Sequence, residues 1–170
     1  MYRIFLIGYM GCGKTTIGKK LAEKLGYGFV DIDACIEEKQ FKSISQIFAE
    51  LGEDKFRQLE KQMLHEVAQF EDVVISTGGG APCFFDNMSF MNNQGLSVYI
   101  KLSTEELTAR LAASKANKRP LIAHLKGEEL QQFVAEGLAK RAPFYSQATL
   151  SVSGTDDEMI QQICEYMASV

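Results

Sequence analysis

The chain has 170 residues, about one domain's length, and its 46% apolar, 24% charged and 10% aromatic content is that of an ordinary globular protein. Eighteen Lys plus Arg against 22 Asp plus Glu leave a net charge of −4, which excludes a generally basic nucleic-acid binder. Four dispersed cysteines without a CxxC pair exclude a disulfide scaffold, give no zinc spacing with the two histidines, and predict reduced thiols in a cytoplasmic protein.

The first predicted strand is Tyr2–Ile7. The apolar run it opens, Ile4 to Met10, is far too short to span a membrane and leads into a Lys-bearing helix, so no membrane or export segment is expected. A helix follows over Thr15–Leu25, with Ile17, Leu21 and Leu25 four apart and Gly26 as its stop. Further strands are predicted at Gly28–Asp31, Asp72–Thr77, Leu96–Leu102 and Ala148–Val152. Further helices are predicted at Glu53–Gln69, Thr104–Ala113, Glu128–Lys140 and Thr155–Met167. Strands alternating with helices give βαβ units, hence a parallel sheet covered on both faces. Right-handed crossovers gather the C-terminal strand ends along one edge, where ligands of such sheets bind.

Chemical motifs fall just after strands. Gly8 through Thr15 reads G-Y-M-G-C-G-K-T and fits G-x-x-x-x-G-K-[ST], directly between a strand and a helix. Its glycines let backbone N–H groups converge on phosphate, and the helix adds its positive N-terminal end. Lys14 reaches the outer phosphates and the Thr15 hydroxyl can hold Mg²⁺, which points to a nucleoside triphosphate. After the second strand, Asp31 and Asp33 alternate onto one face, where two carboxylates could serve the Mg²⁺ water shell and an acceptor hydroxyl. Asp33 is equally well placed to cap a helix starting at Ala34.

Arg57 and Glu60, three apart, can pair on a helix surface. Alone, they read as a solvated ion pair of little worth; in a site, Glu60 would aim the Arg57 fork at an anion. Gly78, Gly79 and Gly80 follow a buried strand, where they pack nothing and suit a ligand lying against bare amides. Arg119, in the polar stretch beginning near Ser114, could close over the triphosphate. Arg141 reads either as functional or as an ordinary helix-end dipole partner, with Pro143 stopping the helix.

Taken together these pieces resemble the shikimate kinase family. Its ordered motifs are a P-loop, a D-x-D, a G-E-x-x-F-R-x-x-E helix start, a T-G-G-G strand end, an R-P-L lid and an R-x-P-x-Y segment. All six occur here in that order between Gly8 and Tyr145. The resemblance implies one nucleoside-monophosphate-kinase-like P-loop domain over 1–170, a three-layer α/β/α fold with a five-stranded parallel sheet. It implies a substrate-binding helical region at about 33–61 and a mobile lid at about 114–126. The implied reaction moves the γ-phosphate of ATP to the 3-hydroxyl of shikimate, on the way to chorismate and the aromatic amino acids. Gly11, Cys12, Gly13, Lys14, Thr15, Thr16 and Arg119 are then nucleotide-binding, and Thr15 and Asp31 serve Mg²⁺. Asp33, Arg57, Gly79, Gly80 and Arg141 hold the substrate, with Lys14, Asp33 and Arg119 catalytic. A monomer is expected, with no nucleic-acid or membrane partner. Two rivals share the P-loop: a gluconate kinase, and a nucleotide switch without turnover. Neither calls for the acceptor motifs together.

Overall fold

The computed structural model describes residues 2–114, 122 and 124–170. Its elements run β1 (Arg3–Ile7), α1 (Lys14–Leu25), β2 (Gly28–Asp31), α2 (Ile32–Gln40), α3 (Ile44–Val67) and β3 (Val73–Ser76), then a 3₁₀ turn (Ala81–Cys83). They continue with α4 (Asn87–Gln94), β4 (Leu96–Ile100), α5 (Thr104–Ala113), α6 (Glu128–Tyr145), β5 (Leu150–Val152) and α7 (Asp156–Ser169).

The five strands form one sheet in the order β2-β3-β1-β4-β5, with every pair parallel. β3 and β4 are buried at every position, and β1 at all but its first. Side chains point alternately to opposite faces, so burial at every position means cover on both faces. Ile17 and Leu21 of α1, Leu64 of α3, Leu107 of α5 and Ile163 of α7 supply that cover, each at most 1% exposed. Each contributes about 1.5–3 kcal/mol relative to exposure. This is the nucleoside-monophosphate-kinase arrangement of a P-loop fold. No helix among the described residues is long and apolar enough to cross a membrane.

Several boundaries differ from the sequence reading. The helix expected from Glu53 begins at Ile44, where Ser43 and Gln46 form a reciprocal capping box. Gly52, at φ 82° and ψ 169°, kinks it, so the expected helix is the second limb of α3. Pro143 does not stop α6 at Lys140; the helix runs to Tyr145. α2 and α4 stand where only loop or the bare start of a helix was expected. α4 has eight residues and buries Asn87, Met88 and Met91, too few apolar positions to make a stripe.

Register places the site. Leu6 of β1 and Asp31 of β2 both pair with Ser76 of β3, so three neighbouring strands end level. The phosphate motif, Asp31 and the three glycines all leave the sheet at that edge.

Candidate active site

The donor side begins where β1 ends. Gly11 at φ 81° and Gly13 at φ 95° take conformations that side chains rarely adopt, and they curl the loop into α1. Gly13 is the N-cap of α1; no side chain caps its first amides and no acid sits in its first turn. Those donors and the helix's positive end are left for an anion. The Lys14 ammonium donates to the carbonyls of Gly8 (2.6 Å) and Tyr9 (3.3 Å), which holds its charge over the loop. A cavity of about 450 Å³ opens here, lined among others by Gly11, Gly13, Lys14, Thr15, Thr16 and Arg110. Cys12 is 1% exposed, so its thiol is packed inside and only its backbone can serve the loop.

The carboxylates differ from the sequence reading. β2 ends at Asp31, and Asp33 lies in the first turn of α2, so the two are not alternate residues of one strand. Asp31 is the helix cap: its Oδ1 accepts from the Ala34 amide (3.3 Å) and its Oδ2 from the Thr15 hydroxyl (3.3 Å). Asp33, freed of capping, faces the same cavity. Its Oδ1 is buried without a hydrogen-bond partner. Burial and the neighbouring Asp31 charge push its pKa up to about 6, with Lys14 and Arg57 opposing.

The acceptor side gathers around the three glycines. Arg57 donates through Nη1 to Glu60 Oε1 at 3.0 Å, with the two side chains only 12% and 1% exposed. The expected solvated ion pair is thus a buried one. Burial pushes Glu60 up to about 7, against the pull of Arg57. The glycines are also packed, contrary to the sequence reading. A Cβ on Gly80 would come 2.7 Å from both Arg57 Nη atoms, and one on Gly79 would come 3.0 Å from Arg141 Nη1. One on Gly78 would come 2.8 Å from Glu60 Oε2 and 3.1 Å from Asp33 Oδ1. Bare Cα atoms are what let four charged side chains converge. Arg141 is not a helix-end dipole partner either: α6 continues past it, and it faces Gly79 and Tyr9.

Gly78, Gly79 and Asp33 line the same cavity as the phosphate loop, whereas Arg57 packs against Gly80 and Arg141 against Gly79. Arg57 Nε and Arg141 Nη1 are buried without hydrogen-bond partners. Arg119 and most of the expected lid lie outside the described residues. Sequence reasoning missed Arg110, which lines the cavity and donates to the Cys12 carbonyl at 3.2 Å. It also missed Tyr145, whose hydroxyl donates to the Gly79 carbonyl at 2.6 Å. Nothing in the local pattern of Arg110 marks it. Tyr145 closes the R-x-P-x-Y segment and could have been found there.

A family model for shikimate kinase matches residues 10–170. A shikimate kinase of Parabacteroides distasonis is 58% identical over 89% of this chain and 87% of its own. The crystal structure of shikimate kinase from Bacteroides thetaiotaomicron superposes with a TM-score of 0.93 at 46% identity, covering 98% of each chain. The Acinetobacter baumannii shikimate kinase, solved in complex with shikimate, superposes at 0.88 and 34% identity over 99% of this chain and 94% of that one. The phosphate loop, the buried acceptor charges and these likenesses agree: the chain belongs to the shikimate kinase family and is an ATP-dependent phosphotransferase.

Proposed function

We propose the following division of labour for the shikimate kinase activity of this chain. ATP lies with its phosphates in the Gly11–Thr16 turn, against the free first amides of α1 and the Lys14 ammonium. The carboxylate of shikimate meets the Arg57 and Arg141 forks, and the Gly79 and Gly80 backbone lies under its ring. Asp33 aligns the 3-hydroxyl and accepts its proton while the oxygen bonds to the γ-phosphorus. The bond from that phosphorus to the β–γ bridging oxygen breaks, leaving ADP and shikimate 3-phosphate. No covalent enzyme intermediate is needed, so catalysis is positioning and charge stabilisation.

The observation that carries the reading is a set of buried atoms without hydrogen-bond partners on three side chains that converge on the glycines after β3: Asp33 Oδ1, Arg141 Nη1 and Arg57 Nε, the last only 3.6 Å from a Glu53 carboxylate oxygen. Two cations and one acceptor match a small acid bearing hydroxyls. A buried polar atom left without a partner costs about 1–3 kcal/mol, which a ligand would recover.

Thr15 and Asp31 fit Mg²⁺. They share a hydrogen bond at the cavity, and no cluster of three acidic, His or Cys side chains stands among the described residues. Mg²⁺ is commonly held by one or two protein oxygens, waters and substrate phosphates rather than by a protein cage. Bound there, it would neutralise phosphate charge. Thr15 would offer its hydroxyl and Asp31 would orient water. Arg119 as a phosphate-side residue rests on the family resemblance. A cytoplasmic location is supported by four free thiols.

The decisive experiment is a coupled ADP-release assay with shikimate, gluconate and nucleoside monophosphates side by side. Turnover with shikimate alone is expected; comparable turnover with gluconate or a nucleotide would overturn the acceptor assignment.

A further inference from the structure

We propose that Tyr9 is a positioning residue for the acceptor, its ring being the platform that holds Arg141 over Gly79. The inference rests on the assignment of Arg141 to the substrate carboxylate.

The two acceptor arginines are held by different means. Arg57 lies over the Phe84 ring (4.1 Å) and also pairs with Glu60 (3.0 Å) and Glu53 (3.6 Å). Among the described residues no carboxylate pairs with Arg141. It has the Tyr9 ring instead, with the guanidinium carbon 5.3 Å from the centroid. Tyr9 is 2% exposed, so the contact is well removed from water, where a cation gains most from a ring face. A ring also restrains a guanidinium without occupying its N–H donors. Apart from its hydrogen bond with the Tyr145 side chain, the Arg141 fork is engaged by no protein acid that would compete with an incoming carboxylate, and its Nη1 has no hydrogen-bond partner.

The platform has a built seat. Gly137 precedes Arg141 by one turn on α6, on the same face. A Cβ there would come 2.7 Å from the Tyr9 Oη and 3.0 Å from its Cε1. The ring therefore fills the space of the absent side chain, at a helix position where glycine is otherwise unfavourable. Tyr145, one turn after Arg141, ties the same face to the Gly79 carbonyl. Residues 137, 141 and 145 thus dock α6 on the phosphate loop and on the glycine strand end together.

Tyr9 belongs to both halves of the site. Its carbonyl accepts from the Cys12 amide (3.2 Å) and from Lys14 (3.3 Å), inside the donor loop. Its side chain serves the acceptor. The phosphate motif asks nothing of this position, so phosphate chemistry does not explain a buried tyrosine there.

Steady-state kinetics on the full chain test the assignment. Tyr9→Leu removes the ring and is expected to raise the shikimate KM about tenfold, with the ATP KM and kcat changed less than about threefold. Tyr9→Phe keeps the ring and is expected to stay within about twofold of the parent. Gly137→Ala pushes the ring aside and is expected to raise the shikimate KM about fivefold, although alanine favours the helix. Adding Tyr9→Phe to Gly137→Ala removes the hydroxyl that the methyl meets, and should recover most of that loss. Should Tyr9→Leu fail to fold, the Gly137→Ala pair decides. An unchanged shikimate KM in the variants that fold, or an equal rise in both substrates' KM, overturns the proposal. Arg141→Ala separates the two layers. If it leaves the shikimate KM unchanged, the carboxylate assignment itself fails. If it raises that KM while Tyr9→Leu and Gly137→Ala do not, only the Tyr9 role fails.

Discussion

On the donor side, the groups that would face phosphate are backbone amides and one lysine from a single run of chain, Gly8 to Thr15. On the acceptor side they are ionisable side chains from α2, α3 and α6, drawn together over three glycines. The first kind of site is inexpensive to keep empty. Its amides lie at an exposed helix start, with Thr15 and Thr16 open to water. The second kind partly buries Asp33 and fully buries Glu60, with pKa values near 6 and 7, and leaves two arginine N–H groups without hydrogen-bond partners. Its charges are arranged for a ligand that brings the missing partners, and they are a burden to the protein alone.

The contrast predicts which substitutions separate activity from stability. Lys14→Ala should have the largest effect, lowering kcat at least about 10³-fold, because it removes a donor to the transferring phosphoryl group. Its melting temperature should barely move, since Lys14 bonds only within its own loop, to the Gly8 and Tyr9 carbonyls and the Cys12 sulfur. Normal turnover in that variant would break the donor half of the comparison. Asp33→Asn should lower kcat about 10²–10³-fold. Asp31, not Asp33, caps α2, so the melting temperature should hold or rise. A variant with near-parental turnover and a much lower melting temperature would return Asp33 to a structural role. In the parent, kcat/KM for shikimate should fall as pH drops through about 6, where Asp33 of the free enzyme takes up a proton and can no longer accept one.

Arg57→Ala sharpens the comparison, because Arg57 serves both the ligand and Glu60. It should raise the shikimate KM about 10²-fold and leave ATP binding mostly intact. It should also destabilise the fold, since Glu60 loses its cation. Adding Glu60→Gln should restore much of the stability and none of the affinity. Recovery of both would mean that Arg57 acts only through packing, and equal loss of ATP affinity would remove its assignment to the acceptor.

The same contrast explains what could be read from the sequence. The donor loop was legible because its chemistry is contiguous and its spacing is fixed by the backbone. Three central strands were legible because cover on both faces makes them largely apolar. Arg57 and Glu60 were recognisable as a pair, but their burial comes from α3 lying against Gly80 and the turn after β3, which i,i+3 spacing does not encode. Asp31 and Asp33 were both found, but the helix cap offered as an alternative for Asp33 belongs to Asp31, because the strand ends one residue before α2 begins. Two-residue alternation does not carry across that junction. The limb of α3 before Gly52 was missed because a kinked helix breaks its own periodicity.

The smallest effect concerns pH and the empty acceptor site. Unfolded Asp and Glu titrate near about 4, while folded Asp33 and Glu60 titrate near 6 and 7. Between those limits the folded chain binds more protons than the unfolded one, so stability falls with rising pH. The contribution of these two groups is fully present below about pH 4 and is lost as pH passes their folded values. Thermal melts of the ligand-free protein from pH 4 to 8, set against the Asp33→Asn/Glu60→Gln double variant, isolate it. The variant's melting temperature should gain a few degrees on the parent's across that range, whatever the offset at pH 4. Parallel curves would mean that the two carboxyls titrate alike in both states, and the acceptor half would then carry no more electrostatic burden than the donor half. Saturating shikimate should flatten the parent's curve, since the bound hydroxyls give Asp33 the partners it lacks and the bound acid restrains Arg57 and Arg141.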